Sequence, residues 1–228
     1  MTDIDVPVQT SDHSLAGGEG AHARSEQVEP HEPPVGPAAA DPALIGLPTF
    51  IVGALALGLT QVGFVSAESP GAPVAIVLFA TGLGQLISAV WAAAVHQGAV
   101  AGIFGTFTGF WLSYGALVLG LTHGWYGVAE TDAANTKALF LISWAVVIGM
   151  LTLASLRLPA AFTVLFSLVT LSLVLALAGA LAEMEALVVA GGVATFALTA
   201  VGIYLFFDAM ATATGGKSLP LGKAIISS

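Results

Sequence analysis

Residues 41–65 read DPALIGLPTFIVGALALGLTQVGFV. After Asp41 there is no charged side chain, and the run from Leu44 to Val65 has the ~20 residues that a helix needs to cross the hydrocarbon core. Two prolines, Pro42 and Pro48, stand at its start. Proline lacks an amide hydrogen and breaks a helical bond when placed mid-helix. Broken backbone is tolerated in a membrane where it lines a cavity, not where it meets lipid. The segment is therefore read as a membrane span with a special beginning. Asp41 would cap the helix and Pro42 would occupy its first position, which suits a residue without an N–H. A helix start also concentrates partial positive charge and free N–H groups that an anion could use, with Gly46 allowing close approach. Asp41, itself an anion, counts against that use.

The rest of the chain follows the same pattern. It has 228 residues, 57% hydrophobic and 8% charged, against about 25% charged in soluble domains. Five further apolar runs follow, at Pro73–Val95, Ala99–Leu121, Ala138–Leu156, Ala160–Leu181 and Ala186–Phe207. They lack the short polar alternation of a membrane β-barrel. The expected fold is an all-α integral membrane protein, a six-transmembrane-helix bundle over residues 41–214, with a short cytoplasmic tail at 215–228.

Residues 1–40 differ in kind. Pro7, Pro30, Pro33, Pro34 and Pro37 accompany an acidic composition and few large apolar side chains. Such a segment buries too little surface to offset chain entropy, so a disordered tail is expected. It has no basic start followed by an apolar run, so it is not read as a signal peptide. The acidity argues against a nucleic-acid partner, which needs a basic footprint. His13, His22 and His31 are spaced too widely for one helix face, and no metal is assigned to them. The chain contains no cysteine, which removes disulfides and thiolate chemistry.

Orientation follows from the few bases. Arg157, Lys217 and Lys223 fall on one side of a six-span arrangement and Lys137 on the other. The first side is then cytoplasmic, with both termini inside. The loop THGWYGVAETDAANTK (122–137) lies outside, with Trp125 and Tyr126 suited to the interfacial belt. Lipid and, by its span count, a cell membrane are the expected setting.

The spans carry hydroxyls and amides rather than charges: Gln61, Gln85, Ser88, Thr106, Thr108, Ser113, Ser167, Thr195, Thr199 and Tyr204. Such groups glue helices together or line a polar path. Proton pumps usually bury a carboxylate or histidine near the midplane, and these spans offer none there. Gly98, Gly102, Gly105 and Gly109 share one helical face, which permits close approach of another helix. Phe104, Phe107, Phe110 and Trp111 lie beside it. An HExxH helix and paired intramembrane acids are absent from the sequence, and Glu183 and Glu185 flank a tight turn. No enzyme and no cofactor is expected.

Four motifs, in order, resemble the acetate uptake transporter family of bacterial and fungal acetate/succinate permeases. DPALIGLPTF is similar to its NPAPLGL signature, GLGQ (82–85) to its Gly-rich turn and glutamine, FGTFTGFW (104–111) to its aromatic FxSYGxFW, and GGKSLPLG (215–222) to its C-terminal G-R-T-x-L-P-x-G. The resemblance implies a hexamer of six-helix protomers, each with its own path for a small monocarboxylate. It places a constriction at Phe50, Phe107 and Leu168; the candidate entry and binding residues are Asp41, Pro42, Gly46, Leu47, Gln85 and Thr106. Several positions depart from the pattern. Asp41 replaces an asparagine, Leu44 a proline and Phe107 a tyrosine. Ala92 stands for a glutamate, and His96–Gln97 for a Gly–Asn pair. Acetate-like monocarboxylates are the expected cargo, carried as the neutral acid or by facilitated flow. The alternatives are a channel for neutral solutes such as urea or ammonia, and a sensor or scaffold that transports nothing.

Overall fold

The computed structural model describes residues 41–66 and 68–226. The tail expected at 1–40 lies outside the described residues. Among the described residues, six helices are long and apolar enough to cross a membrane. They are α1 (Ala43–Gln61), α2 (Leu83–Ala94, entered through a π-helical segment Ile76–Gly82), α3 (Gly98–His123), α4 (Ala133–Ala154), α5 (Ala160–Ala182) and α6 (Glu185–Ala213). No strand occurs among the described residues. This is the expected six-span all-α membrane protein. α6 runs six residues past Phe207, so Asp208 lies within the helix and not at its end.

The helices close a ring. α1 packs on α6, α6 on α5 and α5 on α4, while α2 packs on α1 and α3. The seam between α3 and α4 is the thinnest. α4 buries only Ala138 and Ile148 and turns most of its apolar surface outward. Into the middle of the ring point Phe50 of α1, Phe107 and Trp111 of α3, and Phe166 of α5, each no more than 5% exposed.

Close approach is set by small residues. A methyl group at Gly84 would collide with the Thr49 side chain, and one at Gly82 with Leu112. The GLGQ stretch therefore lets the second span sit tightly between α1 and α3. The glycine face of α3 behaves differently. Among the described residues nothing lies within 4 Å of a methyl placed at Gly98 or Gly102, Gly105 meets Ala89, and Gly109 is covered closely, by Trp144. The face thus finds α2 and α4 over Gly105 and Gly109 only. The π segment, which the sequence reading took as ordinary helix, shifts the register by one residue, since the Leu83 N–H reaches the Leu78 carbonyl.

α1 passes through Pro48 without a break. Pro48 leaves the Leu44 carbonyl without its usual helical donor, and the Thr49 hydroxyl donates to the neighbouring carbonyls of Ile45 (2.8 Å) and Gly46 (3.0 Å). Pro42 adopts helical angles (φ −55°, ψ −23°). Beside it, the Asp41 carboxylate accepts from the Ala43 N–H at 2.9 Å. The capped, Pro-started helix is what the residues dictate.

Beyond α6 the chain doubles back. Asp208 Oδ1 accepts from the Ser218 hydroxyl and the Leu219 N–H, both at 2.7 Å. The Tyr204 hydroxyl donates to the Pro220 carbonyl at 3.0 Å. The Ala161 N–H donates to Leu221 and the Ile226 N–H to Leu156, both at 2.9 Å. The segment expected to be a tail is thus a strap fastened across the ends of α4, α5 and α6.

Candidate functional site

Two cavities meet at the centre of the ring. The larger, about 250 Å³, is lined almost wholly by apolar side chains of α1, α3, α5 and α6. Asp41, Gln97 and Asp208 are its polar lining residues, and no lysine, arginine or histidine among the described residues lines it. It lies at the end of the bundle where α1 begins. The smaller, about 30 Å³, is lined by Ala54, Leu57, Trp111, Val169, Ser172, Thr195 and Leu198 among others. Phe50 and Phe107 line both.

Those two rings are the partition. They meet edge to face with centroids 5.2 Å apart. Phe166 stacks on Phe107 at 6.0 Å, and Trp111 sits 6.5 Å from Phe50 on the far side. An aromatic contact of this kind contributes about 0.5–1.5 kcal/mol beyond the area it buries.

Of the other residues singled out from the sequence, Asp41 and Leu47 line the larger cavity. Pro42 is buried, and its carbonyl accepts the Ser88 hydroxyl at 2.7 Å, which joins α1 to α2. Gly46 lies beneath the Phe104 ring, where any side chain would collide. Gln85 is fully buried, and neither amide atom has a hydrogen-bond partner among the described residues; it lines neither cavity. Thr106 donates to the Gly102 carbonyl of its own helix and also lines neither. Leu168 packs against the core but borders neither cavity; from α5, Phe166 borders the larger and Val169 the smaller.

The start of α1 offers no free donor. The N–H of Ala43 is held by the Asp41 carboxylate, that of Leu44 by the Asp41 carbonyl, and those of Ile45 and Gly46 by the Pro42 carbonyl. An anion approaching this helix end meets a carboxylate and four occupied amides. Ser172 is a group the sequence reading passed over. It bonds Thr195 at 2.7 Å, and Thr195 donates to Gln61 Oε1 at 2.9 Å. One hydroxyl among several in an apolar helix, beside Thr163, Ser167 and Thr170, carries no signal until its neighbours are known.

Comparison with known proteins agrees with this architecture. The family model described as the GPR1/FUN34/yaaH family matches residues 25–218. Among curated proteins, Accumulation of dyads protein 2 of Saccharomyces cerevisiae is 27% identical over 76% of this chain and 62% of its own. Ammonia transport outward protein 2 of the same yeast is 28% identical over 60% and 49%, and Acetate permease A of Emericella nidulans 28% over 60% and 48%. The chain thus spans about half to three-fifths of the curated relatives it matches. The solved bacterial acetate channel SatP superposes with a TM-score of 0.70 over 80% of this chain and 99% of its own, at 23% identity, which speaks to the fold. The chain belongs to the GPR1/FUN34/yaaH family.

Proposed function

We propose that the protein passes acetate and similar small monocarboxylates through the centre of each protomer, and that the step it controls is the parting of Phe50 and Phe107. The observation that carries this is the shared wall: the same two rings bound a cavity on either side. Relatives include a protein named as an acetate permease and a structural neighbour named as an acetate channel. An ion between two phenyl rings loses most of its hydration, which is costly without a partner charge. Asp41 and Asp208 at the larger cavity create a negative field, which disfavours anions. The cargo is therefore the neutral acid, which brings its own proton and needs no titratable relay in the protein.

The family resemblance supports a hexamer in the plasma membrane with both termini cytoplasmic. The outward apolar face of α4 and the uncovered Gly98 and Gly102 are surfaces such an assembly would bury. The larger cavity then opens to the cytoplasm. A neutral-solute pathway is the second reading, favoured by the absence of lining cations and by a relative named for ammonia transport.

The test is uptake of labelled acetate into proteoliposomes between pH 5 and 8. Uptake above that of empty vesicles is expected, with Phe107→Ala changing its rate or its size limit. Rates equal to empty vesicles throughout would refute the reading. Flux of ammonia or urea that acetate does not compete with would favour the second.

A further inference from the structure

The C-terminal strap carries charge as well as hydrogen bonds. The described residues hold four bases, Lys137, Arg157, Lys217 and Lys223. Lys137 stands near the start of α4; the other three lie at the opposite end of the bundle, on the α4–α5 turn and on the strap. A bias of this kind orients a membrane protein. Here the strap also brings two of the bases together.

The register of its fastening shows how. The Ala161 N–H donates to the Leu221 carbonyl and the Ile226 N–H to the Leu156 carbonyl, both at 2.9 Å. The two stretches therefore run antiparallel and in step, with Ile225 opposite Arg157 and Lys223 opposite Pro159. A methyl placed on Gly222 would meet Ala160, the neighbour this register gives it. Arg157 and Lys223 thus flank one short double stretch beside the end of α4. Both are exposed, as are Ile225 (63%) and Ile226 (47%).

Neither base has an ion-pair partner among the described residues. The acids at this end, Asp41 and Asp208, bond Ala43 and the strap's own Ser218 and Leu219. Those acids line the larger cavity, and none of the four patch residues does. The patch is therefore a surface separate from the pathway. Two unpaired cations beside two exposed isoleucines, where a membrane helix ends, complement an anionic phospholipid. Phosphate oxygens answer a guanidinium and an ammonium, and the acyl boundary receives apolar side chains. Residues 1–40 are also acidic but have few large apolar side chains, so they would leave Ile225 and Ile226 uncovered. Free phosphate would do the same.

We propose that the strap is an anchor for anionic phospholipid, with Arg157 and Lys223 receiving the headgroup phosphate and Ile225 and Ile226 entering the acyl boundary. Bound lipid would hold the strap at one end while Asp208 holds it at the other. The test is native mass spectrometry of the full chain in detergent, titrated with phosphatidylglycerol or with phosphatidylcholine of the same acyl chains. Phosphatidylglycerol is expected to bind roughly twentyfold tighter, with Arg157→Gln and Lys223→Gln each weakening it about fivefold, the scale of one base at a charged surface. Phosphatidylcholine binding should not change in either variant. Arg157→Lys keeps the charge and Lys137→Gln lies at the other end, so both should match the wild type. Ile225→Ser should weaken both lipids alike. Equal affinity for the two lipids, or wild-type affinity in both glutamine variants, would overturn the anchor. Displacement of phosphatidylglycerol by inorganic phosphate would overturn it in favour of a free-anion site. Phosphatidylglycerol binding that appears only after residues 1–40 are deleted would overturn it in favour of that segment as the occupant.

Discussion

His96 shows how much one residue's backbone can carry. It sits at φ +60°, a left-handed conformation that costs an L-residue roughly 1–2 kcal/mol. The reason is the end of α2: the Gln97 N–H reaches back to the Ala92 carbonyl at 2.9 Å, which requires a left-handed residue between helix and loop. α1, α3 and α6 meet the same need with Gly63, Gly124 and Gly215. His96→Gly should therefore raise the unfolding temperature in detergent by about 2–4 °C per kcal/mol recovered; an unchanged or lower value would show that the imidazole has a compensating role. Gly46 is the converse case. Its lack of a side chain lets the Phe104 ring lie against α1, and Phe104 lines the larger cavity. Gly46→Ala should drive that ring toward the cavity and slow acetate uptake severalfold, measured on protein that still elutes like the wild type. Wild-type uptake by this variant would mean the ring has another place to go.

At the level of elements, the C-terminal strap depends on α6. Asp208 receives two strap donors on one oxygen, a charge-assisted arrangement stronger than a neutral pair. Lys217 and Lys223 flank the fastened residues. Asp208→Ala should expose this segment, so trypsin should cleave after Lys217 and Lys223 faster than in wild type. Asp208→Asn, which keeps an acceptor oxygen, should stay close to wild type. Equal cleavage of all three proteins would show that the contacts of Leu221 and Ile226 suffice. The elements also show what a linear reading can reach. Span existence was legible because lipid allows so few backbone solutions, and Pro42 after Asp41 announced a capped start. The α1, α3 and α6 ends were marked by glycine, whereas His96 and Glu183, which close α2 and α5, carry no such mark. The π segment was hidden because Ile76–Gly82 carries the same apolar pattern as an ordinary helical turn. Phe50 and Phe107 were reached through motif likeness, not through periodicity, since helices apolar on every side do not announce their inner face. Ser172 and the turned-back strap were invisible for the same reason: each is defined by partners distant in the chain.

For the whole molecule, the question is how much chain the pathway needs. Both cavities, their aromatic partition and the strap are built from residues between Asp41 and Ile226. The structural neighbour corresponds over 99% of its own length to 80% of this chain, so a comparable bundle exists without an equivalent of about a fifth of it. Residues 1–40 are acidic and proline-rich, and lie outside the described residues that bound both cavities. Deleting residues 1–40 should leave acetate uptake within about twofold of the full-length rate in proteoliposomes, at equal protein density and with the same assembly state by native mass spectrometry. The acidic segment would then act on something other than passage itself, such as a partner or the protein's abundance. A truncated protein that assembles normally yet carries no acetate would place those residues in the transport cycle. The same protein carrying acetate but losing a cellular phenotype would instead support the sensor or scaffold role as an addition to transport.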